Sequence, residues 1–268
     1  MTIAQINDAL DDAALLDPLH FAMASRDADV LNLVCEALAS KRVRLAFQPI
    51  VTAGPNGRIA FYEGLIRVMD PAVRVIPAAH FMPVIEQTDL GRQVDCATLD
   101  LAFRQLRQNP QLRLSINLSA RSISDGQWRR VLEAGLAEKS AIGNRLIFEI
   151  SETSAMLLHE IVIRFMAEMQ PRGIAFALDG FGAGLMAFRH LKDFFFDLVK
   201  IDKGFVHGIA DDPDNQVLTE ALITVAQQFE MLVIADGVET QRDAEILSQM
   251  GAECLQGYLY GVPKFDLY

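Results

Sequence analysis

Cysteine is scarce in this chain: Cys35, Cys96 and Cys254 are the only three, and no two of them stand at CxxC spacing. That excludes a disulfide framework and leaves buried, reduced cysteines as the reading. Basic residues are also in deficit, 24 Lys and Arg against 35 Asp and Glu, for a formal charge of −11. A surface of that sign disfavours DNA, RNA or an anionic membrane as partner, so an anionic ligand must be held locally, by metal ions or a few placed Arg and Lys side chains. No window holds about 18 consecutive apolar residues, which excludes a membrane-spanning helix. The stretch Met1 to Phe21 carries several Asp and no basic run, unlike a secretory signal. The five histidines (His20, His80, His159, His190, His207) are scattered, and none is assigned to a metal. The expectation is a soluble, cytoplasmic chain.

What is present is apolar mass: 51% of 268 residues are hydrophobic, enough for one large α/β barrel or two smaller domains. Residues 1–40 mix Asp, Ala and Leu at helical spacing and read as an N-terminal helical extension. From there strands are expected at Val43–Val51 and Ile59–Val68, joined through Gly54-Pro55-Asn56-Gly57, too short for a parallel crossover and therefore an antiparallel hairpin. A helical region follows over Pro77–Leu106, broken near Asp89-Leu90-Gly91. Strands at Leu112–Leu118, Arg145–Ile150, Ile174–Leu178, Leu198–Ile201, Met231–Ala235 and Cys254–Leu259 then alternate with helical stretches at Ser124–Glu138, Met156–Gln170, near Met186–Leu191, Asn215–Phe229 and Arg242–Met250. Alternation of this kind implies parallel βαβ units. Two opening strands and six more make eight, the number that closes a barrel. The fold class is therefore α/β, a (β/α)8 TIM-like barrel over 41–268 with an antiparallel first pair.

Each strand ends on chemistry. The second offers Glu63 and Arg67, the third Asn117, the fourth Glu149 and Glu152, the fifth Asp179, the sixth Lys200 and Asp202, the seventh Asp236 and Glu239, and the last Gln256. In a barrel of this type these ends share one face, where active sites are built. Glu63, Glu149 and Asp179 would repel one another there, so either their pKa values rise or a cation sits among them. Carboxylates with an amide oxygen suit a hard ion such as Mg2+ or Mn2+, and the combination suits metal-assisted phosphodiester hydrolysis. Phe194-Phe195-Phe196 reads as core or a dimer face, and Asp202 as either a site residue or a structural one.

The stretch Glu63-Gly64-Leu65-Ile66-Arg67 resembles the Glu-Ala-Leu signature of the EAL family, cyclic di-GMP phosphodiesterases and their noncatalytic relatives. Phe47-Gln48-Pro49-Ile50, Ile116-Asn117-Leu118-Ser119, Phe148-Glu149-Ile150-Ser151-Glu152, Val199-Lys200-Ile201-Asp202, Ala235-Asp236-Gly237-Val238-Glu239-Thr240 and Leu255-Gln256-Gly257-Tyr258 follow in the family's order. The resemblance implies that Glu63, Asn117, Glu149 and Asp179 hold a first Mg2+ or Mn2+ ion. It implies that Lys200, with Asp236 and Glu63, serves catalysis, that Glu152 anchors the loop after Asp179, and that Gln48, Leu65, Arg67, Asp202, Glu239, Gln256 and Pro263 bind ligand. Arg67 is expected on a phosphate.

Two departures bear on activity. The family's usual Asp-Asp-Phe-Gly is here Asp179-Gly180-Phe181-Gly182, so the aspartate serving a second ion has no counterpart at Gly180. Asp236 stands where the family has glutamate, a reach shorter by about 1.5 Å, one C–C bond. Three readings follow: a cyclic di-GMP binder with weak or absent hydrolysis, a working phosphodiesterase yielding linear pGpG, or a protein-interaction module without nucleotide. A homodimer or a separate signalling protein is the expected partner.

Overall fold

The computed structural model describes residues 18–137, 140–184 and 188–268. The first part of the N-terminal extension and part of the helical stretch expected near Met186–Leu191 lie outside the described residues.

Eight strands close into a barrel. They are β1 (Val43–Thr52), β2 (Ile59–Met69), β4 (Leu114–Asn117), β5 (Leu146–Ser151), β6 (Ala175–Phe181), β7 (Leu198–Ile201), β8 (Leu232–Ala235) and β9 (Cys254–Gln256); a short β3 (Val75–Pro77) extends β2 outside the ring. From β2 through β9 every neighbour in the ring is parallel. Strand β1 alone runs the other way, antiparallel to both β2 and β9, and so completes the closure. The expected hairpin is thus present, and β1 enters the barrel's functional face from the opposite direction to its neighbours.

Strand periodicity of two sorts the side chains. Ile50, Phe61, Ile147, Ala177, Leu198, Ile234 and Cys254 form a small apolar cluster, and the residues two positions further along several of these strands are Glu63, Glu149, Asp179, Lys200, Asp236 and Gln256. The alternate residues belong to a larger core shared with the helices. Part of it is aromatic: Phe148 of β5 meets Trp128, Phe165 and Phe176 of β6, and Phe165 meets Trp128 and Phe176, at ring distances between 5.6 and 6.0 Å, separations at which ring quadrupoles favour tilted and edge contacts.

The helices are α1 (Pro18–Ala39), α2 (Met82–Ile85), α3 (Asp89–Gln108), α4 (Gly126–Ala137), α5 (Glu152–Leu157), α6 (His159–Met169), α7 (Lys203–Val206), α8 (Pro213–Gln228) and α9 (Gln241–Met250). Side-chain oxygens fix several starts: Thr88, Ser151, Asp202, Asp212 and Thr240 each accept a backbone N–H in the first turn of the helix that follows. Val34 and Ala37 of α1 are fully buried in the main core. None of the described helices is long and apolar enough to cross a membrane.

Some boundaries differ from expectation, each for a local reason. The helix expected over Met156–Gln170 is two, because Ser151 caps an earlier start and Leu158 leaves helical geometry at φ −127°, ψ 44°. The last strand stops at Gln256 rather than Leu259: Gly257 presses on the Val238 backbone, where a Cβ would overlap it. Pro77 ends β3 rather than opening a helix, and α3 starts only after the Thr88 cap. Of the three consecutive phenylalanines, Phe194 and Phe196 are core and Phe195 is 61% exposed.

Candidate active site

At the mouth of the barrel lies a cleft of about 610 Å3. Its centre is Lys200. From β7 the ammonium donates to Glu149 Oε2 at 2.8 Å and Glu63 Oε2 at 3.0 Å, and it stands 3.8 Å from Asp179 Oδ1. Three strands thus aim carboxylates at one buried lysine. Asn117 Nδ2 donates to Glu63 Oε1 at 2.9 Å, and Gln256 Nε2 to Glu63 Oε2 at 2.6 Å. Gln256 Nε2 also reaches Gln48 Oε1 at 3.3 Å, while Gln48 Nε2 donates to the Gly261 carbonyl at 3.2 Å.

This packing of charge sets the protonation states. Burial pushes the Glu63 carboxyl upward, but Lys200 and the hydrogen bonds from Gln256, Lys200 and Asn117 outweigh it, and the net shift is down. Glu149 goes the other way, raised to about 8 by burial and by the charge of Glu63 against the pull of Lys200. Lys200 is itself held well above its ordinary value: burial disfavours its charge, yet Glu149, Glu63, Asp179 and Asp236 prevail. Asp236, half-buried just past β8, is raised by burial, with Lys200 opposing. The expected repulsion among the acids is therefore met by Lys200, while burial and the charge of Glu63 push the Glu149 carboxyl upward.

The remaining residues spread outward from this centre. Leu65 lines the same cleft. Arg67 lies two residues along the same face of β2, its Nη1 on the Ile66 carbonyl at 3.0 Å, with burial lowering its pKa against the attraction of Glu63. Glu239 lines an adjoining depression that shares Gln48, Lys203 and Asp236 with the main cleft. Pro263 precedes Lys264, whose backbone pairs with Phe47 of β1 beside Gln48. Asp202 is not drawn into the cleft; its carboxylate caps α7 through the Gly204 N–H at 2.8 Å. Glu152 Oε1 accepts the Gly182 N–H at 2.9 Å, the position of a loop anchor for the segment after Asp179.

Three charged cleft residues, Glu86, Asp95 and Lys203, were not legible in the sequence. Asp95, on α3, is buried at the cleft wall, accepting from Ser122 Oγ at 2.6 Å and the Ser119 N–H at 3.3 Å. Burial raises its carboxyl to about 7 in spite of those bonds. The available signal was periodicity: Asp95 sits among Gly91, Val94, Thr98, Leu99 and Ala102 on the buried stripe of α3, where an acid interrupts an apolar face. Lys203 borders both depressions; it lies just past β7, in the first turn of α7.

The donor set fits a hard divalent ion. Six carboxylates line the cleft (Glu63, Glu86, Asp95, Glu149, Asp179, Asp236) against Lys200 and Lys203, so cation is in deficit. Glu149 Oε1 and Gln256 Oε1 are buried without a hydrogen-bond partner among the described residues, which is costly unless something else meets them. All these donors are oxygens, the preference of Mg2+ and Mn2+. Gly180, next to Asp179, has φ +74° and empty space around the position of a Cβ.

Comparison with known proteins identifies the family. The EAL domain family matches residues 32–263. The bifunctional diguanylate cyclase/cyclic di-GMP phosphodiesterase MucR of Pseudomonas aeruginosa is 29% identical over 247 residues, covering 90% of this chain and 36% of that protein. Cyclic di-GMP phosphodiesterase PA2567 of the same species is 31% identical over 273 residues, 98% of this chain and 46% of that protein. The chain thus spans less than half the length of these relatives. Among solved structures, the PaMucR phosphodiesterase in its c-di-GMP complex aligns with TM-score 0.80 at 29% identity, covering 88% of this chain and 97% of that one. The FimX EAL domain from Pseudomonas aeruginosa bound to c-di-GMP aligns with TM-score 0.80 at 26% identity, covering 90% of this chain and all (100%) of that one. Barrel topology, the ordered motifs and these matches together establish that the chain belongs to the EAL domain family.

Proposed function

We propose that this chain recognises cyclic di-GMP at the barrel mouth and hydrolyses it weakly or not at all. The observation that carries the reading is the contrast between a complete cluster around Lys200 and the bare position beside it: Gly180 offers no ligand atom where a second ion would need one. Glu63, Asn117, Glu149 and Asp179 would hold a first Mg2+ or Mn2+ ion. When bound, such an ion supplies Lewis acidity toward a phosphodiester oxygen.

The chain's own residues do the rest. Lys203 on the cleft wall and Arg67, two residues beyond Leu65 on β2, would offer positive charge to a phosphate that otherwise faces acids. Leu65 supplies apolar contact, and Gln48 and Gln256 supply amides locked by their mutual hydrogen bond. Lys200 holds a proton at Nζ between Glu63 and Glu149 and would help position an attacking water. Glu152 fixes the loop after Asp179 through the Gly182 N–H. Assembly as a homodimer or with a separate signalling protein belongs to the same reading, and the exposed Phe195 is the side chain to probe for it.

A second reading, a working phosphodiesterase, draws on Asp236, which lines the same cleft as Asp179 and interacts electrostatically with it. Titration calorimetry with cyclic di-GMP, with and without Mg2+ or Mn2+, followed by chromatography of the products separates the two. Binding without accumulation of pGpG is the expected result; steady turnover to pGpG at ordinary enzymatic rates would favour the second reading. Absence of binding at high micromolar ligand overturns both.

A further inference from the structure

Outside the cleft, the fold assembles a second cluster of ligand-type side chains that are far apart in the sequence. His159 opens α6, while His190 and Asp193 stand three residues apart on the 3-10 turn Phe188–Asp193, in the segment between β6 and β7. His159 Nε2 lies 3.7 Å from Asp193 Oδ2, and His190 Nδ1 lies 3.8 Å from the same oxygen. One donor atom from each of the three residues falls within 4.8 Å of the other two. We propose that His159, His190 and Asp193 form a binding site for Zn2+ or a similar first-row divalent ion, distinct from the oxygen-lined barrel mouth.

Three observations support it. First, His159 Nε2 is buried and has no hydrogen-bond partner among the described residues, although an imidazole nitrogen shielded from water is expected to have one. Second, the spacing approaches what coordination needs. Bonds of about 2.0–2.1 Å in a tetrahedron put neighbouring donors roughly 3.4 Å apart; the two gaps to Asp193 exceed this by a few tenths of an ångström, and the His159–His190 gap, no more than 4.8 Å, closes by turning the exposed His190 ring. Third, the ring of His159 is already oriented: it packs edge-on against buried Phe194 at 4.7 Å, and the two imidazoles meet edge to face with ring centres 6.0 Å apart at 76°. The His190 and Asp193 side chains are about a third exposed, so an ion can approach the buried His159 nitrogen from their side.

The donor types choose the metal. Two imidazoles and one carboxylate favour Zn2+, Co2+ or Ni2+, whereas Mg2+ prefers oxygen alone. Three protein ligands leave a fourth position for water. One contact has to change: Arg189 Nε donates to His190 Nε2 at 3.3 Å. Ligation through Nδ1 places the imidazole proton on Nε2, and the exposed Arg189 then turns to solvent.

The location gives the ion something to do. Glu152, at the start of α5, already holds the near end of the β6–β7 segment through Gly182. An ion at His159 would tie the far end of that segment to α6, leaving the stretch that begins at Asp179 and Gly180 fastened on both sides. The sequence left all five histidines unassigned because 31 residues separate His159 from His190 and only the barrel topology brings them together.

The test uses Zn2+ as probe, by equilibrium dialysis in excess Mg2+, on the wild type and on His190→Gln and Asp193→Asn. Both are surface changes whose folding is checked by the metal-free melting curve. The wild type is expected to retain one Zn2+ that each variant binds at least tenfold more weakly. Co2+ should give the visible absorption of a tetrahedral nitrogen–oxygen site in the wild type and lose it in His190→Gln. Zinc affinity unchanged in both folded variants, or a cobalt spectrum unaffected by His190→Gln, overturns the proposal.

Discussion

Lys200 Nζ and Glu149 Oε2 lie 2.8 Å apart at a depth where both side chains are almost fully buried. The lysine supplies a fixed counter-charge between Glu63 and Glu149. Removing one partner of a buried pair leaves uncompensated charge, typically a loss of about 3–5 kcal/mol. Lys200→Met should therefore lower unfolding free energy by roughly that amount at pH 8, and by less at pH 6, because the orphaned carboxyls can take up protons there. Mn2+ should restore more stability to the variant than it adds to the wild type. Urea unfolding at the two pH values, with and without Mn2+, checks both statements; equal loss at pH 6 and pH 8 would count against the charge argument.

Gly180 is the position at which the proposed loss of hydrolysis is tested. A Cβ at this position meets nothing within 4 Å, so the side chain of Gly180→Asp starts into open space. Its φ of +74° lies in the left-handed region, which Asp tolerates better than most residues, at a strain of about 1 kcal/mol. The variant, if needed with Asp236→Glu, should accelerate conversion of cyclic di-GMP to pGpG at least tenfold under Mg2+ or Mn2+. Chromatographic product analysis reads this directly. An intact, metal-binding variant with unchanged turnover would falsify the assignment of position 180 as the missing ligand.

How far the sequence carried the fold depended on separation along the chain. The alternation from Leu114 onward and the short Gly54–Gly57 connection are local signals, and they led to the closed barrel with one antiparallel strand. The polar strand tips were legible for the same reason: Glu63, Glu149, Asp179 and Lys200 each end a short apolar run. What was not legible came from contacts between distant elements. Asp202 shares the strand parity of Lys200 yet turns away to cap α7, because β7 ends at Ile201. Asp95 is polar only against the grain of its helix, and its partners Ser119 and Ser122 come from the far side of β4. No spacing rule joins His159 to His190.

Asp95 also makes stability depend on pH. Its folded-state carboxyl is raised to about 7 from an ordinary 3.8, chiefly by burial. Between those values the folded state binds more protons than the unfolded chain, so this group's contribution is fully present below about pH 4 and is lost as pH rises through about 7. One pKa unit corresponds to about 1.4 kcal/mol, which bounds the effect at roughly 4 kcal/mol. Asp95→Asn keeps the shape, lets its oxygen accept from Ser122, and removes the titration. The stability of the variant relative to wild type should therefore climb between pH 4.5 and pH 8. Parallel slopes for the two proteins in chemical denaturation would show that Asp95 does not titrate in this range.

Gly184 and Glu152 form the tightest fit around the loop. A methyl group at 184 would overlap Glu152 Oε2 and crowd its Cβ at 2.9 Å, and that carboxylate is the acceptor for the Gly182 N–H. Gly184→Ala should displace Glu152 and release the Gly182 amide. A hydrogen bond to a charged group contributes about 1.5–3 kcal/mol, so local opening of the loop should become at least tenfold more frequent, since 1.4 kcal/mol is a factor of ten in an equilibrium. Hydrogen exchange at the Gly182 amide measures that opening without recourse to activity. Glu152→Gln separates charge from shape: it retains an acceptor of the same length, so exchange at Gly182 should rise less than in Gly184→Ala. Unchanged exchange in Gly184→Ala would mean that the loop is held by contacts other than Glu152.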